Sequence, residues 1–345
     1  MKLLIVGGGL AGTSLAHHLI KRGVDFEIID NGNNVSSTVA GGILNPLVFR
    51  RMTLSWRLDE LLPFAYNYYH ELEALFGCEL LKFVPIRRLF ASEQERGYWE
   101  KKQHEEAFQA YMHIQTDFDK NFPSSLNTYG TGVVKQSGYV EAAKYIECNL
   151  NYFEQLGKLK REAVDFSQLD PEKGSYKGEI YDYIVFCEGK DMCYNPWFGY
   201  LPMQQTKGEV LTIQSSEIDE NESLNRKCFM MPIGKQQFRV GSTYDWDQDN
   251  VEITEKGRDA ILENLKSVTD APYTIVNQIA GVRPTVKDRR PFLGKHATYP
   301  KLAIGNGLGT KGYMIAPLIM FELMEYLLDG KELDKEVDIR RFDKL

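Results

Sequence analysis

The sequence lacks the features that mark membrane, secreted and metal-binding chains. No apolar run approaches the ~20 residues that a membrane-spanning helix needs. An apolar strand already begins at Lys2, so we expect no signal peptide. The six histidines show no ligand spacing, and no metal site is predicted. The five cysteines form no C-x-x-C pair, which favours free thiols in a reducing cytoplasm; they are Cys78, Cys148, Cys187, Cys193 and Cys228.

The chain also lacks an excess of positive charge. Lys and Arg total 41 against 48 Asp and Glu, giving a net charge of −7. This balance argues against an extended nucleic-acid surface, so no nucleic-acid partner is expected. A hydrophobic content of 43% in 345 residues is enough for a sizeable core and favours two lobes.

What the sequence does contain is a glycine-rich turn after its first apolar strand. Gly7, Gly9 and Gly12 follow this strand in the spacing G-x-G-x-x-G. The first glycine permits the tight turn, the second lets a pyrophosphate approach the backbone, and the third lets the next helix pack closely. That helix is predicted over 13–22, and the free N–H groups at its start suit phosphate groups.

A second predicted strand, over 26–29, ends at Asp30. Asp30 lies 18 residues after Gly12, about where a carboxylate accepts a hydrogen bond from a ribose hydroxyl. Together the strands, glycines, helix and acid predict a dinucleotide-binding unit. The alternative, a glycine-rich turn without a ligand, leaves the position of the acid unexplained.

The stretch over 31–46 is rich in small and polar residues. It is either a solvated loop or, because it follows a Rossmann strand, a loop along which a cofactor lies. The hydroxyl groups of Ser36 and Ser37 can reach phosphate or ribitol oxygens. Gly41 and Gly42 permit the backbone to lie flat against a planar ring.

The remaining chain alternates between helical and strand patterns. Residues 179–189 have the apolar character of a parallel strand, whereas 201–213 and 229–244 alternate as antiparallel strands do. Further strands are predicted within 80–91, 162–166 and 301–305, and helices over 59–76, 92–108, 138–157, 254–268 and 315–328. A second glycine-rich turn over 305–312 leads into the last helix, whose start offers N–H groups to an electron-rich carbonyl or an anionic ring.

Five segments together resemble the D-amino-acid-oxidase-like (DAO) family of flavoproteins, which includes glycine oxidase, sarcosine oxidases and the oxidase domain of a bifunctional tRNA-modifying enzyme. They are the turn over 7–12, the serine-rich loop over 36–43, the strand over 202–211 with Lys207-Gly208 in place of the usual Arg-Gly, the segment 281–284 with Asp288, Pro291 and Gly294, and the turn over 305–312. NAD enzymes share the first segment. The last two make the resemblance specific.

The resemblance implies an α/β fold, α+β overall, with a Rossmann-like FAD/NAD(P)-binding domain and a substrate domain built on a mixed or antiparallel sheet. The FAD-binding domain would comprise 1–46, 131–200 and 276–345, and the substrate domain 47–130 and 201–275. FAD would be bound non-covalently, because covalent members use a late cysteine and Cys228 precedes both C-terminal motifs. The implied FAD contacts are Gly7, Gly9, Leu10, Ala11, Gly12, Asp30, Asn31, Ser36, Ser37, Gly41, Gly42, Ile43, Val164, Cys187, Gly189, Arg283, Gly307, Leu308, Gly309, Thr310, Lys311 and Gly312.

Two of these residues are also the candidate catalytic residues. By the resemblance, Arg283 holds the carboxylate of the substrate, and a guanidinium matches a carboxylate with two parallel hydrogen bonds. The alternative for Arg283 is a structural ion pair. Lys311 would favour the anionic reduced flavin or its oxygen chemistry, or else is a solvated lysine. Tyr244, Met230 and Tyr313 are candidates for lining the substrate pocket, with core packing as the alternative.

The resemblance therefore implies an FAD-dependent oxidoreductase that oxidises the C–N bond of a small amino acid or N-substituted glycine to an imine by hydride transfer. Its partners would be this small molecule and an electron acceptor, either oxygen or another compound; the oligomeric state is left open. Two other functions also stay open. One is oxidation of a modified tRNA base, which the acidic balance disfavours, and the other is a non-catalytic dinucleotide-binding module.

Overall fold

The computed structural model of the chain describes residues 1–33, 35–115, 128–246 and 250–342. Its α-helices are Leu10–Lys21, Val35–Val39, Leu58–Phe76, Glu93–Lys102, Glu106–Gln109, Ala142–Gln155, Glu255–Leu265 and Gly312–Asp329. Its 3-10 helices are Phe49–Arg51, Phe166–Gln168, Gly189–Tyr194, Gly309–Lys311 and Ile339–Phe342.

A six-stranded sheet carries the N-terminal strand at its centre. Alternate residues of that strand enter two different cores: Leu3 and Ile5 belong to a core that includes four long helices, whereas Leu4 and Val6 pack on the opposite face. Burial on both faces is typical of parallel sheets, and here only the last pair of strands is antiparallel. In spatial order the strands are Leu159–Lys160, Asp25–Ile29, Lys2–Val6, Tyr183–Phe186, Leu302–Asn306 and Phe292–Lys295.

An eight-stranded, largely antiparallel sheet forms the second large layer. One of its faces packs on the helix Glu255–Leu265, which begins at Thr254, where the threonine Oγ1 accepts a hydrogen bond from the Gly257 N–H at 2.9 Å. In spatial order the strands are Thr274–Val286, Met203–Gln214, Gln237–Gly241, Phe229–Gly234, Ser223–Asn225, Ile86–Leu89, Thr131–Val134 and Met112–Gln115. Together the two sheets confirm the predicted α/β class with a mixed second sheet.

Three small sheets complete the strands of the described residues. One of them, formed by Ile43–Leu44, Gly138–Val140 and Leu81–Phe83, joins the serine-rich loop to the strand before the helix Ala142–Gln155. The others are formed by Leu169–Asp170, Ser175–Tyr176 and Glu179–Ile180, and by Leu47–Val48 and Thr53–Leu54.

Three of the sequence predictions about these elements are wrong. The helix expected over 92–108 is two helices, interrupted after Lys102. The helix expected over 138–157 begins only at Ala142, because Gly138–Val140 pairs as a strand with Leu81–Phe83. The strand expected over 162–166 is absent from the described structure, and Leu159–Lys160 pairs with Asp25–Ile29 instead. In the last two cases pairing with a distant strand decides the outcome, so the local pattern misled.

The division into two domains stays a prediction. The strand Thr131–Val134, at the start of the second predicted FAD-binding stretch, pairs with Ile86–Leu89 in the eight-stranded sheet.

None of the described helices combines the length and the apolar character needed to cross a bilayer. Within the described ranges no three His, Cys, Asp or Glu side chains are grouped as metal ligands.

Candidate active site

A cavity of about 940 Å³ lies between the two large sheets. On one side it meets the carboxyl ends of the parallel strands, at Val6, Ile29, Cys187 and Asn306. On the other side it crosses five strands of the eight-stranded sheet; the lining residues there are Gly281, Val282, Arg283, Pro284, Gly208, Val210, Gly241, Phe229 and Asn225. The carboxyl edge of a parallel sheet is where open α/β folds bind their ligands.

The first glycine-rich turn has no room for side chains. Gly7 has φ +105°, and a Cβ there would lie 2.5 Å from the carbonyl oxygen of Cys187, just beyond the neighbouring strand. A Cβ on Gly12 would lie 1.9 Å from the carbonyl oxygen of Gly7. These close approaches bring the start of the helix Leu10–Lys21 to the cavity, which Gly9, Leu10 and Ala11 line. Gly12 itself packs against the backbone of Gly7 and does not line the cavity.

Asp30 stands at the expected end of the second strand and is 5% exposed. Its Oδ2 accepts a hydrogen bond of 2.6 Å from the Gly8 N–H, and its Oδ1 accepts one of 2.8 Å from the Gly32 N–H. The carboxylate therefore fixes the glycine-rich turn as well as facing the cavity, which Asn31 and Val164 also line.

The serine-rich stretch contains the short helix Val35–Val39. The Ser36 hydroxyl donates a hydrogen bond of 2.6 Å to the carbonyl oxygen of Val282, and the Ser37 hydroxyl accepts one of 3.1 Å from the Leu10 N–H. This stretch thus links the start of the first helix to the strand that carries Arg283. Ser36, Ser37, Gly41, Gly42 and Ile43 all line the cavity.

The second glycine-rich turn also reaches the cavity, through Leu308, Gly309, Thr310, Lys311 and Gly312. Gly189 lies on the cavity wall nearby, and its carbonyl oxygen accepts a hydrogen bond of 3.0 Å from the Asn306 amide. Gly307 is not among the lining residues, because it packs towards Val286 and Phe292.

Lys311 is not a solvated lysine. Its Nζ donates hydrogen bonds to the carbonyl oxygens of Asn45 at 2.6 Å and Leu47 at 3.1 Å, and to the hydroxyl of Ser55. Burial lowers the pKa of Lys311 to about 7. An ammonium group has three donors, so these three acceptors occupy all of them and tie the turn to the stretch over 45–55.

Arg283 extends into the cavity from the strand Thr274–Val286. Its Nη2 donates a hydrogen bond of 2.6 Å to the Ser242 hydroxyl, its Nη1 donates one of 3.3 Å to the Thr243 carbonyl oxygen, and its Cζ lies 4.6 Å from the centre of the Tyr244 ring. No carboxylate among the described residues pairs with it. The alternative role for Arg283, a structural ion pair, is therefore not supported. Burial lowers the pKa of Arg283.

Gly208 makes the space that the guanidinium of Arg283 occupies. A Cβ on Gly208 would lie 2.1 Å from Nη2 and 2.4 Å from Cζ of Arg283. Residue 208 is two positions beyond Thr206, the residue that pairs with Arg283 across the strands, so the two are diagonal neighbours on one face. Lys207 points to the other face, where its buried Nζ donates a hydrogen bond of 2.9 Å to Asn250 Oδ1.

The three apolar candidates have different places. Tyr244 lines the cavity under Arg283. Tyr313 touches the cavity, but its hydroxyl is directed into the protein and donates to the carbonyl oxygen of Ser37 at 2.8 Å. Met230 is 1% exposed and packs with Leu211 and Phe238, so its expected place in the pocket is wrong.

Several lining residues were missed by the sequence reasoning. Glu188 follows Cys187 at a strand end; burial raises its pKa to about 7, although the Asn195 amide donates to it at 2.7 Å. Ser242 and Lys227 also line the cavity. The position of Glu188 directly after a parallel strand was an available signal, whereas those two lie in irregular stretches beside antiparallel strands.

Two thiols, Cys187 and Cys228, line the cavity, so distance along the sequence does not separate Cys228 from a bound cofactor. Burial raises the pKa of Cys228 to about 12 and that of Cys187 further. Both groups are therefore protonated thiols, which are poor nucleophiles. Non-covalent binding stays a prediction and now rests on this chemistry.

The chain matches the family model "DAO: FAD dependent oxidoreductase" over residues 2–322. It is 22% identical over 355 residues to glycine oxidase of Bacillus licheniformis, covering 96% of this chain and 94% of that protein. It is also 22% identical over 314 residues to the tRNA 5-methylaminomethyl-2-thiouridine biosynthesis bifunctional protein of Saccharophagus degradans, covering 84% of this chain and 44% of that protein. The chain thus spans less than half of the bifunctional relative.

The crystal structure of glycine oxidase from Geobacillus kaustophilus superimposes with a TM-score of 0.80 at 18% identity, covering 96% of this chain and 95% of that one. This similarity confirms the fold, and the family match identifies the cofactor class. The glycine-lined cavity at the carboxyl edge of the parallel strands, with a helix start opening into it, suits a dinucleotide. The chain belongs to the DAO family of FAD-dependent oxidoreductases and is an enzyme of that class.

Proposed function

We propose that this enzyme oxidises the C–N bond of a small amino acid or N-substituted glycine to an imine. The observation that carries the proposal is the Arg283 guanidinium, which reaches the cavity with no carboxylate partner among the described residues. A buried guanidinium without a counter-charge favours an anionic ligand. A carboxylate beside the amine is the group that Arg283 would bind.

The residues that would hold FAD follow the length of the cavity. Asp30 would accept hydrogen bonds from the adenosine ribose, and the helix start at Leu10 would face the pyrophosphate. The glycines at 41 and 42 and the turn over 308–312 would border the flavin ring. When bound, FAD supplies the acceptor for a hydride from the substrate carbon.

The chain's own part in the reaction would be positioning. Among the described lining residues there is no histidine, and none is needed as a base if the hydrogen leaves carbon as hydride. Arg283 would anchor the carboxylate, Ser242 and Thr243 would fix the guanidinium, and Tyr244 would support it. Holding the reacting carbon in one place can supply a large part of the rate acceleration.

The alternative substrate, a modified tRNA base, is less well supported. The charged side chains that line the cavity comprise Lys190, Lys227, Arg283 and Lys311 against Asp30, Glu162, Glu188 and Asp191. These charges balance, whereas nucleic-acid surfaces carry an excess of positive charge.

The test is anaerobic reduction of the purified holoenzyme by glycine, sarcosine and a panel of D-amino acids. We expect at least one of them to bleach the visible flavin spectrum, and the Arg283→Lys variant to need higher concentrations of it. Bleaching only by amines that lack a carboxylate, or only by a tRNA substrate, would contradict the proposal.

A further inference from the structure

Two cysteines that are distant in the sequence lie side by side in the fold. The Sγ atoms of Cys78 and Cys148 are 3.7 Å apart, although 70 positions separate the residues. Both thiols are half-buried, and neither lines the cavity. The pair is therefore separate from the site that binds FAD.

The backbone fixes this arrangement from both sides. Gly77 ends the helix Leu58–Phe76 with φ +65° and turns the chain back on itself. Just beyond, Leu81–Phe83 pairs with Gly138–Val140, and the helix Ala142–Gln155 follows that strand directly. The thiol that follows Gly77 is thus held against the middle of this helix, where the second thiol stands.

We propose that Cys78 and Cys148 are a redox-modification site that takes a hydroperoxide as oxidant and forms an intramolecular disulfide. In the first step the Cys78 sulfur attacks hydrogen peroxide, the O–O bond breaks, and Cys78 sulfenic acid and one water form. In the second step the Cys148 sulfur attacks that sulfenic sulfur, the S–S bond forms, and a second water leaves. The two thiols lose two electrons and two protons in total, and the peroxide is reduced.

The surroundings of the two thiols set the order of these steps. Cys78 borders a shallow groove with His70, Glu73 and Phe83, so an oxidant in solution can reach it. Burial and the neighbouring thiol raise the pKa of Cys148 to about 11, which keeps it protonated and slows its own attack on peroxide. Cys78 therefore reacts with the peroxide first, and Cys148 then attacks its sulfenic sulfur.

The disulfide would tie together two helices that already pack. The hydroxyl groups of Tyr68 and Tyr145, one from each helix, are 3.0 Å apart. The bond would leave this packing in place and would close a loop of 70 positions in the unfolded chain. Closing such a loop lowers the entropy of the unfolded state, so we expect a higher unfolding temperature without a change in FAD content.

The test starts from reduced holoenzyme, treated with hydrogen peroxide and then denatured in a thiol-blocking reagent. We expect the count of free thiols to fall from five to three, and peptide mapping to find Cys78 linked to Cys148. Dithiothreitol should restore all five thiols. The unfolding temperature of the oxidised protein should exceed that of the reduced protein by several degrees.

Single variants separate this proposal from general oxidation. Cys78→Ser and Cys148→Ser should each abolish both the linked peptide and the rise in unfolding temperature, whereas Cys193→Ser, at an exposed thiol outside the pair, should keep both. Retention of all five thiols under peroxide, a link between other cysteines, or sulfenic acid on Cys78 that never resolves would each overturn the proposal. None of these readouts depends on the substrate of the enzyme.

Discussion

Replacing Gly208 by alanine tests the assignment of Arg283 without removing the arginine. The added Cβ would stand 2.1 Å from Nη2, whereas ordinary contact begins at 3.4 Å, so the guanidinium has to move by about 1.3 Å. A shift of this size breaks its hydrogen bond of 2.6 Å to Ser242 and moves the two donors that would face a substrate carboxylate.

The size of the effect follows from the interaction that is lost. A hydrogen bond to a charged group contributes about 1.5–3 kcal/mol, which corresponds to a loss of roughly 10- to 150-fold in kcat/KM. The other residues proposed to bind FAD are not displaced, so the FAD content should match that of the unchanged protein. An amine that lacks a carboxylate should lose little or no kcat/KM.

The assay is steady-state kinetics on the best carboxylate substrate from the anaerobic panel, together with the FAD dissociation constant. Gly97→Ala is the matched control, because no heavy atom lies within 4 Å of its added Cβ and it sits inside the helix Glu93–Lys102. An unchanged kcat/KM in Gly208→Ala would refute the assignment of the guanidinium. An equal loss for substrates with and without a carboxylate would show that the damage is not specific to recognition.

Four further predictions concern Arg283, the binding of FAD and two buried histidines. Arg283→Ala should lower kcat/KM by roughly one and a half to three and a half decades, since removing one partner of a buried charged pair costs about 2–5 kcal/mol, and FAD should still bind; wild-type activity on a carboxylate substrate would contradict this. Asp30→Asn should weaken FAD by ~1.5–3 kcal/mol, measured by titration of the apoprotein, and unchanged affinity would count against the proposed position of the cofactor. Acid precipitation should release all of the yellow colour into the supernatant, and colour in the pellet would reveal a covalent bond. Burial lowers the pKa of His17 to about 3 and that of His18 to about 4, so below about pH 6.5 the unfolded chain binds protons that the folded chain does not. The free energy of unfolding should therefore fall by about 2 kcal/mol per histidine between about pH 6.5 and about pH 5. Urea unfolding should show a shallower pH dependence for His17→Gln, and an unchanged dependence would contradict this.

The sequence alone was sufficient for the parts of the site that depend on local sterics. The turn at Gly7 and Gly12 could be predicted because no side chain fits where a strand, a tight turn and a helix meet. Asp30 could also be identified from the sequence, because it stands at the end of the strand that directly follows that helix. The second glycine-rich turn and Arg283 were recognised by their resemblance to family motifs, and the structure brings both to the same cavity.

Packing between distant segments decided the rest. The side chain of Met230 enters the core and not the pocket because the pairing of Phe229–Gly234 with its neighbours sets which face each residue occupies. The position of Cys228 on the cavity wall and the pairing of the strand Leu159–Lys160 were set in the same way.

The contact between Cys78 and Cys148 could not be predicted from the sequence. Neither thiol has a local pattern, and the described residues between them form two strands of a three-stranded sheet and three strands of the eight-stranded sheet. A local sequence motif reflects steric constraints between residues that are close in the sequence. These constraints are the same in every fold that contains the motif. Which distant side chains meet depends on strand order, register and helix packing, so only the tertiary structure placed Lys311 on the stretch over 45–55, Gly208 beneath Arg283, and the two thiols within 3.7 Å.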